Sequence, residues 1–148
     1  MRNVRRLMIS VLVAAASLAA PAAFARERSF VPDAHGQISF AMPSGNIGCV
    51  YTPAGGTDIY RPANGGPELS CDRVEPSYVN VRLGPEGPAV LDEHPGEQGC
   101  CGAENILPYG DTLKLPGFIC SSSTGGLTCE TPDKRHGFCV AKSRMLHY

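Results

Sequence analysis

The chain has 148 residues, 13 Lys or Arg against 14 Asp or Glu, no Trp and seven Cys. That is one small domain's worth of sequence, too short for several folded units. Near-neutral charge without a basic run gives no reason to expect nucleic acid or an anionic membrane surface as partner.

The N-terminus reads as a secretory signal. Arg2, Arg5 and Arg6 form a basic start, Leu7 to Ala20 is uncharged and apolar, and Ala23-Phe24-Ala25 supplies the small residues that signal peptidase needs. Residues 1–25 are therefore expected to be a signal peptide, cleaved after Ala25. The apolar run, about 14 residues, is too short for a membrane span of roughly 20. No Cys follows it to carry a lipid, and the Arg5-Arg6 pair leaves a twin-arginine signal as an alternative. Removing the leader takes away three arginines and no acid, leaving 10 basic residues against 14 acidic and a net charge of −4. The mature part, residues 26–148, contains no second apolar run of membrane length and is expected to be exported and soluble, in a periplasm or outside the cell.

Along residues 26–148, Gly and Pro are frequent and no helical period appears. Short apolar or alternating runs take its place: 37–42, 47–52, 68–74, 78–83, 89–92, 117–122, 127–131 and 137–142. Each is bounded by Gly, Pro, Asn or Asp, the pattern of short strands joined by turns. "PSGN" (43–46) reads as a tight hairpin with Gly45 at positive φ. Residues 52–67 read as a long exposed loop. Residues 86–99 read as a second, with Glu86, Asp92, Glu93 and Glu97 and no Lys or Arg between Arg82 and Lys114. This acidic loop is expected to be solvated, the alternative being a cation or basic-partner site. The fold class is all-β, a small disulfide-stabilised sandwich or partly open barrel of short antiparallel strands with at most one helical turn, its core spanning about 37–144.

All seven Cys (49, 71, 100, 101, 120, 129, 139) lie in the mature part. Export places them where thiols pair, and a small core gains from cross-links. Cys120 and Cys129 flank "SSSTGGLT". If the tip is a hairpin with a two-residue loop (Thr124-Gly125) or a four-residue loop (123–126), the two cysteines stand directly opposite. Opposed Cα atoms at about 4.5 Å suit a disulfide. A turn at Gly125-Gly126 would instead set them diagonally.

Other chemistry is weak. The order C-x8-C-x6-H-x2-C has no closely spaced ligand pair of the kind zinc needs. A catalytic thiol needs a base in reach, but His136 and Cys139, three apart on a strand, point to opposite faces. There is no G-x-S-x-G, P-loop, dinucleotide fingerprint or HExxH. His35, His94, His136 and His147 are scattered singly, and Tyr51, Tyr60, Tyr78 and Tyr109 are the available stacking surfaces. Catalytic, cofactor-binding and metal residues are therefore none, and no cofactor is expected. Neighbouring Cys100 and Cys101 are not expected to bond each other across a planar trans peptide.

"MPSGNIGCVY" (42–51), "LSCD" (69–72), "LPYGDTLKLPGFICSSSTGGLTCET" (107–131) and "RHGFCVAKS" (135–143) together resemble a family of small exported bacterial proteins of unknown function. Its members read as a PSGNIGC hairpin, an RCD-like strand, a YG turn, an F-x-C-x-S…G-L-T-C hairpin and a closing GHGF strand. The likeness covers roughly residues 38–144 and implies export and a disulfide-bearing β domain, but no activity. Arg135 stands where Gly is usual and Cys139 where a second aromatic is usual. The resemblance also suggests a Cys49–Cys71 bridge, between the strand after the PSGN turn and the strand after the long loop.

Cys100, Cys101 and Cys139 then remain. One of the doubled pair, Cys101 by its closeness to Ile106-Leu107, is expected to pair with Cys139. Cys100 is left as a free thiol or as the link in a disulfide-bonded dimer; otherwise the protein is a monomer. The functional expectation is a non-enzymatic binding or structural module that meets an envelope or extracellular protein, polymer or small ligand. A small secreted hydrolase or thiol enzyme and an inhibitor of secreted enzymes are the alternatives.

Overall fold

The computed structural model describes residues 24–148; most of the expected signal peptide, residues 1–23, lies outside them. The described residues form twelve strands and no helix. In chain order these are β1 (Glu27–Arg28), β2 (Ile38–Ala41), β3 (Ile47–Thr52), β4 (Glu68–Arg73), β5 (Val79–Leu83), β6 (Val90–Asp92), β7 (Asn105–Ile106), β8 (Thr112–Leu115), β9 (Phe118–Ser123), β10 (Gly126–Glu130), β11 (Gly137–Val140) and β12 (Met145–His147). They build two six-stranded sheets, ordered β1-β8-β9-β10-β11-β12 and β6-β5-β4-β3-β2-β7. Both are open, so the molecule is a sandwich and not a closed barrel. Most pairings are antiparallel, but β1 runs parallel to β8 and β7 parallel to β2, making both sheets mixed.

Strand alternation sets the core. On β3 the inward residues are Ile47, Cys49 and Tyr51; on β9 they are Phe118, Cys120 and Ser122. Phe40, Phe118 and Phe138 are fully buried at the centre, with Leu69, Leu83, Leu107, Leu113 and Leu127 around them. Burying an apolar side chain of this size contributes about 1.5–3 kcal/mol. Tyr51 meets Phe118 edge-on, ring centroids 6.2 Å apart. The PSGN turn closes as the Met42 amide donates to the Ile47 carbonyl at 2.9 Å, with Gly45 at φ 68°.

Cys49 stands opposite Cys71 and Cys120 opposite Cys129; each pair is bonded, with Cα atoms 4.1 Å apart. Ser123 pairs with Gly126, so the β9–β10 loop is the two-residue Thr124-Gly125. Gly126 sits at φ 130°, and a Cβ there would run into the Val140 carbonyl, so β10 reaches its neighbour only with glycine at this point.

The expected Cys101–Cys139 bridge is not formed. Cys100 bonds Cys101, and Cys139 is a free buried thiol. Strand parity keeps the proposed partners apart. Phe138 and Val140 point into the core, so Cys139 between them faces outward from the first sheet. Cys101 packs over Gly48, on the outer face of the second sheet. Both sheets lie between the two thiols.

Replacing Cys139 with Ser should therefore take the free-thiol count of the denatured monomer from one to zero. A Cys139 bridge to either neighbour would instead raise it, and thiol titration under non-reducing denaturing conditions distinguishes the two. The native wild-type protein should react slowly, because the thiol is covered.

Candidate functional site

Polar and exposed apolar groups converge at one end of the sandwich, where turns from both sheets meet. The second sheet contributes the β2–β3 tip, Ser44 to Asn46, and the link after β4, Val74-Glu75. The first contributes the β9–β10 tip, Thr124 to Gly126, and Ala141-Lys142 after β11. Tyr109 closes one side. Together they enclose an open groove of about 520 Å³.

The rim is built by local hydrogen bonds. Asn46 clamps the link after β4: its Nδ2 donates to the Glu75 carbonyl at 3.0 Å, and the Glu75 amide donates to its Oδ1 at 2.7 Å. The Val74 amide adds a bond to the Asn46 carbonyl. Across the groove, Ser123 Oγ accepts from the Gly125 amide and donates to the Gly126 carbonyl, fixing the opposite tip. Tyr109 sits in a turn held by Asp111 N to Pro108 O and Gly110 N to Ser122 O. Its ring and Val74 are each about two-fifths exposed, an apolar surface beside hydroxyls.

One ion pair spans the two sheets here, Lys142 Nζ to Glu75 Oε2 at 3.2 Å, with both side chains about two-thirds exposed. An exposed pair of this kind is worth about 0–1 kcal/mol and exchanges readily for other partners. The groove therefore offers one mobile cation, one mobile anion, hydroxyls and an aromatic face. It contains neither Cys nor His. His136 is in the β10–β11 turn, where its carbonyl accepts from the Thr131 amide, while the Cys139 thiol lies 3.3 Å from the Arg144 guanidinium.

A second polar group lies on the outer face of the second sheet. Asn80 donates to Ser70 Oγ and Asp72 Oδ1, each at 2.9 Å, and Tyr78 accepts from the Cys100 amide at 3.1 Å. Burial pushes the Asp72 carboxyl above its ordinary value of 3.8, against the lowering effect of hydrogen bonds from Asn80 and Tyr78. The Cys100–Cys101 unit covers this face, resting directly on the backbone of Gly48.

Among the described residues, no group of three or more His, Cys, Asp or Glu is arranged to hold a metal, and no helix is long and apolar enough to cross a membrane. The acidic-loop residues Asp92, Glu93 and Glu97 form no ion pair within this set. Three of the four stretches quoted for the family resemblance meet at the groove, through Ser44 to Ile47, Tyr109, Ser123 to Gly126 and Ala141-Lys142, while "LSCD" (69–72) does not reach it. Glu75 and the clamp role of Asn46 had no sequence signal beyond the turn motif itself. No protein-family model matches the chain, no curated protein is significantly similar to it, and no solved structure matches its fold.

A Cβ at Gly48 would lie 2.8 Å from the Cys101 Cβ and 3.0 Å from the Cys100 sulfur. Gly48→Ala should thus displace the 99–103 segment and cost about 1–3 kcal/mol, the usual range for overpacking. Hydrogen exchange should quicken in that segment while the core strands β3, β4, β9 and β10 stay protected.

Proposed function

We propose that this protein is an exported, non-enzymatic binding module that holds a short charged polar chain, such as the peptide part of an envelope polymer, in the end groove. The observation that carries this reading is the Lys142–Glu75 pair spanning a groove framed by two hydrogen-bonded hairpin tips. A ligand bearing both a carboxylate and an ammonium replaces that weak pair with two new ones and stacks on Tyr109. Rigid tips keep the ordering cost of binding low. Three disulfides are compatible with an oxidising compartment.

Removal of the leader after Ala25 belongs to the same proposal and is supported at β1. The Arg26 amide donates to Asp111 Oδ1 at 3.2 Å, and Arg28 pairs with the other carboxylate oxygen. Cleavage after Ala25 turns that amide into an ammonium beside a carboxylate only 7% exposed. Asp111 follows Tyr109 and Gly110, so the new charge pair also anchors the aromatic side of the groove.

Titration of the isotope-labelled mature protein with a soluble disaccharide–peptide wall fragment should move the amides of Gly45, Gly125 and Lys142. Lys142→Glu should weaken binding about tenfold, or about 1.4 kcal/mol. Shifts confined to other faces, or none, would overturn the groove assignment.

The processing proposal has its own readout. The Arg28 guanidinium, ahead of the Arg26 amide, holds the Asp111 carboxyl below its ordinary 3.8. Its stabilising contribution is present above that unfolded value and fades as pH falls through the lower folded one. A chain beginning at Arg26 should therefore melt higher than one carrying extra N-terminal residues at neutral pH. Asp111→Asn should abolish the difference, and so should acid.

A further inference from the structure

Arg73 is the last residue of β4, and its parity with Leu69 and Cys71 turns it inward. It is 6% exposed, yet it forms no ion pair with any described carboxylate. Its guanidinium bonds only neutral acceptors. Nε donates to the Ser77 carbonyl at 3.4 Å, and Nη2 to the Ser77 carbonyl and hydroxyl, each at 3.2 Å. Nη1 donates to the Ala141 carbonyl at 3.0 Å. A guanidinium has five N–H groups, so the second N–H of Nη1 has no protein acceptor. A buried charge is ordinarily balanced by an opposite charge, because leaving water costs several kcal/mol per ion.

The same residue lines a cavity of about 520 Å³ between the β4–β5 link, the acidic loop and β12. His94 and Gln98 stand on its outer wall with ring and amide N–H groups, and Met145 and Leu91 supply apolar wall. Glu93 is also there, exposed at the rim, where water screens it.

We propose that this cavity is a binding site for a small organic oxyanion, a carboxylate or phosphate monoester, held by Arg73 at its inner end and by His94 and Gln98 at its mouth. Geometry favours an oxyanion over chloride: a guanidinium edge presents parallel donors that match two oxygens of one group. The site is separate from the end groove, and its ligand need not be the groove's.

Side-chain NMR of Arg73, recorded with the mature protein at low ionic strength, tests the assignment. Acetate, inorganic phosphate and chloride are titrated in parallel. The expected result is a saturable shift of the Arg73 Nε–Hε signal and of the His94 and Gln98 amides with phosphate or acetate, and a much weaker response to chloride. Which of the two oxyanions binds more tightly identifies the headgroup. The double variant His94→Ala, Gln98→Ala lies on an exposed loop and leaves β4 intact, and it should weaken binding about five- to tenfold. Absence of a saturable shift up to tens of millimolar overturns the proposal. So does an equal response to chloride, or shifts confined to Lys142 and Arg144. An unchanged affinity in the double variant overturns the mouth of the site.

Discussion

Cys49–Cys71 and Cys120–Cys129 each close a directly opposed pair on the inner face of one sheet, and both belong to the same buried cluster. Their separations along the chain, 22 and 9 residues, make them local staples within hairpin-like pairs, not ties between sheets. In the chain-entropy model, closing loops of this length contributes about 3 kcal/mol each. Each bridge also pins the register of its strands. A one-residue slip would turn every core side chain of that strand outward. The sheets are then held face to face by apolar packing and by Arg73, which reaches from β4 to the Ala141 carbonyl beyond β11.

Once register is pinned, the strand ends are pinned as well, and the end groove lies there. Asn46 leaves β2–β3 one residue before Ile47, and Thr124 leaves β9 four residues after Cys120. Their relative placement across the groove therefore follows from the two disulfide pairs and the intervening core. The groove is thus formed by irregular turns on a rigid scaffold, the usual arrangement for binding residues.

Strands flanked by clear turn residues were legible in the sequence. All eight runs read from alternation correspond to β2–β6 and β9–β11 within a residue or two. The four others were not, for physical reasons. β1 and β7 have two residues each, below any period, and both form parallel pairs with strands far along the chain. β8, "TLKL", does alternate, with Leu113 and Leu115 buried and Lys114 out, but its four residues are too few for the period to stand out. β12 is a partly exposed three-residue edge strand, too short to show a period, although its Met145 packs against the core. Cys139 was misassigned because it sits in "GFCV", where every residue is apolar or small and alternation gives no parity. The Cys120–Cys129 pair could be argued from spacing alone; the groove could not, since its walls come from five separate stretches scattered between Met42 and Lys142.

The distribution of charge follows from the same geometry. Nearly every cation is on the surface, and the exposed pairs Lys114–Glu27 and Lys142–Glu75 leave those groups free to exchange partners. Arg73 differs because β4 ends just where the sheets begin to part. An apolar residue there would complete the core but could not reach the Ala141 carbonyl, whose bond to Arg73 is buried, or the more exposed Ser77 carbonyl. Arginine satisfies those carbonyls and lines the cavity beside the acidic loop. The cost is a positive charge without a counter-charge in the fold. The cavity flanked by this buried cation on one side and the exposed polar loop on the other lies at the edge of the sandwich that the guanidinium closes.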